Sequence, residues 1–364
     1  MNPGLLKINQ NINFLMIKTL NTKSKKFQKE LSYYLNIRKI NFSSKASVVK
    51  KIVIDVKKNK DKSIIKYEKK FNKLRKFNKK NIAFTKFEII KNIKKLDSKV
   101  KSSIDIAYNR ILSFHKNQKS QDFKTQDKYK NIFSYRSNPL ERVGVYVPGG
   151  SASYPSSVLM NCIPAMVAGV KEIFMTVPSA NGKINSGVLY AAKKCKVKKI
   201  YKLGGAQAIA ALAFGTETVS KVDKIVGPGN EYVALAKKEV FGDVGVDMFA
   251  GPSEVTVIAD KYSKPDWVAA DLIAQAEHDQ MSQSILITDS EDTIFKVKNF
   301  INKQLRFLPK KKIVSRSFKK FGIVVLTKNA RETSEIVNKI SPEHLEIYTK
   351  KPEIYLKSIK NAGS

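Results

Sequence analysis

From Val143 onward short apolar runs alternate with helix-like stretches, and this rhythm is the strongest constraint on the fold. The runs are VGVYV (143–147), EIFMTV (172–177), KIYKL (199–203), DKIVG (223–227), EVTVIA (254–259), SILIT (284–288), GIVVLT (322–327) and LEIYT (345–349). Each is too short for a helix and too continuously apolar for a strand with one wet face. Strands of this kind belong to parallel sheets covered on both sides. The expected fold is therefore α/β, with two mainly parallel sheets covered by helices.

Before Val143 the texture is different. Residues 25–118 show apolar positions at three- and four-residue spacing, as in SVVKKIVIDVKKNKDKSIIKYEKKF and SSIDIAYNRILSFHKNQ. They predict a helical N-terminal segment. Residues 121–140 are polar and read as an irregular connection. Residues 1–15 read as dispensable, with Met16 as an alternative start.

The charge is lopsided: 68 Lys and Arg stand against 31 Asp and Glu, a net of +37, and most of the excess precedes residue 142. Such a balance raises nucleic-acid binding. The lysines are interleaved with Ile, Asn and Phe and form neither one block nor a stacking module, so they read as solvated faces and no nucleic-acid partner is expected. No run is long enough to span a bilayer, so no membrane partner is expected either. Two cysteines, Cys162 and Cys195, rule out a disulfide framework and fit a reducing, cytoplasmic compartment. Neither sits in a strand-end loop beside a histidine, so both read as incidental thiols.

Four Gly- and Pro-rich loops lie between strand ends and helix starts: 147–155, 203–208, 227–232 and 250–254. In open α/β sheets ligands bind beyond the carboxyl ends of strands, where backbone amides can meet phosphate. Four such loops in one region favour a nucleotide site, although none carries a GxGxxG pattern. There are three histidines. His115 reads as an ordinary helix-face residue. His278 lies three residues after Gln275 in AQAEHDQMSQ, a spacing that puts both on one helical face as a candidate metal or substrate site. His344 lies in SPEHLEIYT beside Glu343.

Taken together, ERVGVYVPGGSASYPSSVLM, KLGGAQAIAALAFGTETV, DKIVGPGNEYVALAKKEVFG, VDMFAGPSEVTVIAD, LIAQAEHDQMSQ and SPEHLEIYT resemble the histidinol dehydrogenase family, in the family's order. The resemblance implies two incomplete Rossmann-like domains, NAD and one zinc per subunit as cofactors, and a homodimer. It implies oxidation of L-histidinol through the aldehyde to L-histidine. Motif by motif, Tyr146, Gln207 and Asn230 match NAD contacts, and Ser253 matches a substrate contact. Gln275 and His278 match zinc ligands that also meet the substrate. Glu343 and His344 match the catalytic pair, His344 touching substrate as well.

The chemistry agrees with these roles. An alcohol that loses hydride must also lose its hydroxyl proton, which an imidazole can take near neutral pH, so His344 is the expected base. The aldehyde must be hydrated before a second hydride leaves, and Glu343 can activate that water. Adjacent strand residues point to opposite faces, so the pair is expected in the turn after Pro342. Glu277 reads as an outward-facing carboxylate.

The resemblance places an N-terminal extension at 1–29, a discontinuous first α/β domain at 30–145 and 255–364, and a second, NAD-binding domain at 146–254. It also implies a further C-terminal dimerisation tail, absent here, with an Asp and a His that ligate zinc and an acidic substrate contact. Gln275 and His278 alone would hold zinc poorly, so the sequence is either a fragment of a longer reading frame or a truncated, impaired product, and its abrupt end within NAGS (361–364) makes a fragment the expectation. The competing readings are a sister NAD-dependent dehydrogenase acting on another polar alcohol, and a truncated, inactive basic binding protein.

Overall fold

A computed structural model describes residues 17–43, 45–72, 74, 76–149, 154–179, 184–248 and 253–364. The chain divides into two compact units, residues 44–251 and residues 1–43 with 252–364. In chain order the first segment gives β1 (Lys18–Asn21) and α1 (Phe27–Ser43). The 44–251 unit contains α2 (Ala46–Phe71), α3 (Lys86–Ile93), α4 (Ser98–Lys116), β2 (Phe123–Gln126), β3 (Ile132–Tyr135), β4 (Arg142–Tyr146) and α5 (Pro155–Val167). It continues with β5 (Glu172–Thr176), α6 (Ser186–Lys194), β6 (Lys199–Tyr201), α7 (Gly205–Phe214), β7 (Lys224–Val226), α8 (Glu231–Val240) and β8 (Gly245–Val246). The chain then forms β9 (Glu254–Ala259), α9 (Pro265–Ala276), β10 (Gln283–Thr288), α10 (Glu291–Leu305), α11 (Lys311–Phe321), β11 (Ile323–Leu326), α12 (Ala330–Ile340), β12 (His344–Tyr348) and α13 (Glu353–Leu356).

Both five-stranded sheets are wholly parallel, in the orders β6-β5-β4-β7-β8 and β1-β11-β10-β9-β12. The expected α/β class with helix-covered parallel sheets holds. All six residues of β10 are buried, as a strand covered on both faces requires. In the 44–251 unit, Val143, Val145, Ile173 and Met175 pack with Leu159, Ile163, Val188 and Leu189 from α5 and α6. In the other unit Val257 and Leu286 face Val268, Leu272, Val297 and Phe318, while Ile285, Ile287 and Val325 face Leu20, Phe27 and Leu31.

Helix starts follow local side chains. Asp97 caps α4, Ser290 caps α10 and Asn329 caps α12, each accepting from backbone N–H groups of the first turn. A Thr85–Glu88 capping box opens α3.

Three expectations need correction. The boundary expected near 145 lies instead near 44 and 251. Helix α2 packs on α7 and α8, α4 packs on α5, and β4 is the central strand of its sheet, so a cut at 145/146 would split that strand from its partners. The expected extension, 1–29, includes β1, an edge strand paired with β11, and Leu20 and Phe27 in the core; residues 1–16 lie outside the described residues. Finally, 121–140 holds an antiparallel hairpin, β2–β3, rather than an irregular connection. Every residue of its two strands is exposed.

Candidate functional site

Each unit carries its own cluster of the expected residues. In the 44–251 unit the loops after β4, β5, β6 and β7 surround a cavity of about 460 Å³. Tyr146, Pro148, Gly149, Pro178, Gln207 and Asn230 are in its wall. Three of the four expected Gly-rich loops therefore meet here. Residues 150–153 and 249–252 lie outside the described residues, and Ser253 belongs to the other unit.

Tyr146 ends β4 and is 3% exposed, and its Oη accepts a hydrogen bond from the Gly205 N–H at 3.1 Å. Burial pushes its pKa up to about 12; the Gly205 bond opposes this and the charge of Glu68 adds to it. The phenol therefore stays protonated and keeps its own proton to donate. Gln207, in the first turn of α7, donates from Nε2 to Glu68 Oε1 at 2.9 Å. The same oxygen accepts from the Gly204 N–H at 3.0 Å. Glu68 lies on α2 and is fully buried, and the side-chain amide of Asn72 donates to its second oxygen. Burial raises its pKa, against the opposing effect of these three hydrogen bonds.

Asn230 caps α8, its Oδ1 accepting from Tyr232 N–H at 3.1 Å and Val233 N–H at 3.3 Å. With the carbonyl committed, its amide NH₂ remains as a donor. The loop before it turns at Gly227, where φ is +113° and a Cβ would stand 2.1 Å from the Tyr146 carbonyl oxygen, so only glycine fits. Lys237, 3% exposed, fastens this loop by donating to the Gly227 carbonyl and to Asp247, both at 2.5 Å, while Asp247 accepts from the Gly227 N–H at 2.7 Å. Burial lowers the Lys237 pKa and the Asp247 pair opposes that shift.

The other cluster lies at the opposite kind of edge. Ser253 and Glu254 stand at the amino end of β9, Gln275 and His278 precede β10, and Glu343 and His344 stand at the head of β12. These three strands are neighbours, with Gln283 opposite Glu254 and His344 opposite Val255. The helical-face argument for Gln275 and His278 needs amending. Helix α9 ends at Ala276, and His278 lies in the turn beyond it, where its N–H reaches back to the Gln275 carbonyl at 3.3 Å. His278 is exposed, whereas the Nε2 of Gln275 is buried without a hydrogen-bond partner. Glu277 is the C-cap residue of α9.

Glu343 sits in the turn after Pro342, as expected, but His344, expected in the same turn, is already the first residue of β12. Glu343 Oε2 accepts from the Glu254 N–H, and Glu254 Oε1 accepts from the Glu343 N–H, both at 3.2 Å. His344 Nε2 lies 3.9 Å from Glu343 Oε1. On the other side of the ring, Nδ1 is 2.7 Å from Ser364 Oγ, whose own proton has the Glu343 carbonyl as acceptor at 3.4 Å. That arrangement favours the proton on Nδ1 and leaves Nε2 with its lone pair. Residues 363–364 pair through their backbone with Pro342, Glu343 and Leu345.

Among the described residues no group of three His, Cys, Asp or Glu could hold a metal ion. His278 supplies an imidazole and Gln275 an amide oxygen, lone-pair atoms that zinc accepts, whereas the orphaned Gln275 Nε2 is a hydrogen-bond donor and no metal ligand. They fit as part of a donor set, not a complete one. Cys162 and Cys195 are buried in the core, as expected.

Sequence reasoning missed Glu68 and Glu254, and the pair Asp271–Glu346. Glu346 follows His344 by two residues on β12, and Asp271 precedes Gln275 by four on α9. Only Glu254 had a signal, its place in AGPSE beside Ser253.

Comparison with known proteins follows the same lines. The sequence model of the family described as Histidinol dehydrogenase matches residues 36–364. A histidinol dehydrogenase of Pelagibacter ubique is 52% identical over 350 residues, 96% of this chain and 81% of that protein. One of Neisseria gonorrhoeae is 42% identical over 348 residues, again 96% and 81%. The crystal structure of histidinol dehydrogenase from Elizabethkingia anophelis superposes with a TM-score of 0.85 at 35% identity, covering 95% of this chain and 79% of that one.

Proposed function

The chain belongs to the histidinol dehydrogenase family, and from that membership we propose how its two clusters divide the work. The activity is the NAD-dependent oxidation of L-histidinol through L-histidinaldehyde to L-histidine. NAD occupies the cavity of the 44–251 unit, where its role is to accept hydride. Tyr146 and Asn230 offer it donors, and Gln207 offers an acceptor.

The observation that carries the reading is the juxtaposition of Glu343, just before β12, and His344, its first residue, with Nε2 of the imidazole 3.9 Å from the carboxylate. His344 takes the hydroxyl proton as hydride leaves the alcohol carbon. Glu343, held by the Glu254 N–H, takes a proton from the water that hydrates the aldehyde, while His344 gives the proton it holds to the aldehyde oxygen and is neutral again. His344 then takes the hydroxyl proton of the hydrate as the second hydride departs, for which a second NAD would be the acceptor. Ser253, at the same strand edge, contacts the substrate. Gln275 and His278, with further donors, would hold one zinc per subunit, which would supply a Lewis acid to anchor the substrate. We read the assembly as a cytoplasmic homodimer; among the described residues no helix is long and apolar enough to cross a membrane.

The test is NADH formation from L-histidinol with zinc added, beside the same assay with other polar alcohols. Turnover of L-histidinol alone supports the reading, and preference for another alcohol overturns it. His278→Ala is expected to lose zinc on dialysis, and unchanged metal content would remove His278 from the donor set.

A further inference from the structure

The cavity of the 44–251 unit has a buried carboxyl group behind its wall that none of the roles above uses. Glu68 is fully buried and forms no ion pair among the described residues. Its three partners are all N–H donors: the backbone of Gly204, the side chain of Gln207 and the side chain of Asn72. Gly204, Gln207 and Asn72 are themselves in the cavity wall. A carboxylate buried without a cation is costly unless its hydrogen bonds do something else for the fold or the site.

What it does follows from the chemistry of an amide. The Gln207 side chain has one face that donates and one that accepts, and a free glutamine in a cavity could present either. Oε1 of Glu68 already accepts from the Gly204 N–H, and accepts as well from the Gln207 amide, so the NH₂ of Gln207 faces Glu68. The carbonyl oxygen is then the only face left for a ligand. The same carboxylate oxygen holds the Gly204 N–H, the residue that opens α7, so one atom fixes both the loop and the amide.

We propose that Glu68 is a positioning residue for the dinucleotide: by holding Gln207 with its NH₂ inward, it makes that side chain an obligatory acceptor, matched to an N–H or O–H group of the cofactor. The inference rests on the reading that this cavity takes NAD. It assigns Glu68 no contact with the dinucleotide and no part in proton transfer.

Steady-state kinetics on the full chain test it. Glu68→Met fills the same space without acceptors, and is expected to raise KM for NAD about tenfold while KM for L-histidinol and kcat at saturating NAD change less than about twofold. Glu68→Gln, which keeps one acceptor oxygen, should recover to within about threefold of the unaltered chain. Gln207→Ala should weaken NAD on its own, and adding Glu68→Met to it should cost nothing further, because the amide to be held is gone. If Glu68→Met does not fold, Glu68→Asp replaces it: the charge remains but withdraws from Gln207 by one methylene, and the same selective rise in KM for NAD is expected.

NAD binding that responds to Gln207→Ala but not to the Glu68 variants overturns the inference alone, as do losses that multiply in the double variant. Failure of the unaltered chain to bind NAD, measured directly by titration, overturns the cavity reading and this inference with it.

Discussion

The two sheets carry their proposed site residues at opposite ends. In the 44–251 unit Tyr146, Pro178, Gly204 and Asn230 all follow the strands, so helices α7 and α8 begin at the cavity. In the other unit Ser253, His278 and Glu343 all precede strands, so the helices leading into them, α9 and α12, end there. A helix start carries partial positive charge and unpaired N–H groups, and a helix end carries partial negative charge and unpaired carbonyls. The first edge therefore suits the phosphates of a dinucleotide, and the second suits a cation or an amine. One architecture has supplied both polarities by turning the site from one end of the strands to the other.

The edges also differ in how side chains are held. Tyr146 and Gln207 are buried and locked by buried partners, whereas His278 is exposed and the side chain of His344 is 51% exposed. Substitutions at the open edge should therefore alter chemistry and spare the fold, and those behind the cavity should do the reverse.

The largest effect should come from the open edge: His344→Ala is expected to lower kcat about a thousandfold, with NAD affinity and thermal stability unchanged. A variant that still turns over normally would break the assignment of the base. Next, Gly227→Val forces a branched side chain into φ +113° against the Tyr146 carbonyl, and should cost about 3 kcal/mol or more in denaturant unfolding together with NAD binding. Lys237→Met leaves Asp247 without its cation and should cost about 2 kcal/mol by the same measurement, with KM for L-histidinol unchanged. A loss of turnover without a loss of stability in either cavity variant would dissolve the contrast between the edges.

The smallest effect sharpens the contrast through pH. Burial, then the charge of Asp271 and a hydrogen bond to it, raise the Glu346 pKa from 4.5 to about 7. The folded chain thus holds this proton more tightly than the unfolded chain does. The resulting stabilisation is complete below pH 4.5 and is lost as pH rises through about 7. Glu346→Gln should show a flatter dependence of urea midpoint on pH across that window, and an identical slope would show that the pair does not titrate there.

Much of this was legible before any coordinates. Continuous apolar runs such as EIFMT and QSILIT need cover on both faces, and that requirement alone implies the parallel sheets. The motifs implied the site residues because each is a short contiguous turn. Strand β1 escaped because KTLN is four residues long with only Leu20 fully buried, too little for any periodicity. The β2–β3 hairpin escaped because it faces no core, so nothing orders its polarity. The domain boundary was misplaced because periodicity in α2 reveals that one face is buried, not which sheet buries it. Glu68 was invisible for a related reason. In KYEKKF it looks like any solvated glutamate among lysines, and only the fold brings Gly204 and Gln207 to it.

The pairing of residues 363–364 with the Glu343–His344 turn has a practical side for anyone who handles this protein. A purification tag fused after Ser364 would leave from the residue whose side-chain hydroxyl lies 2.7 Å from the Nδ1 of His344. An oligohistidine tag there would deliver spare imidazoles beside the one proposed as the base. Turnover measured on such a fusion would describe the tag as much as the enzyme, and a tag at the other terminus is the form to assay.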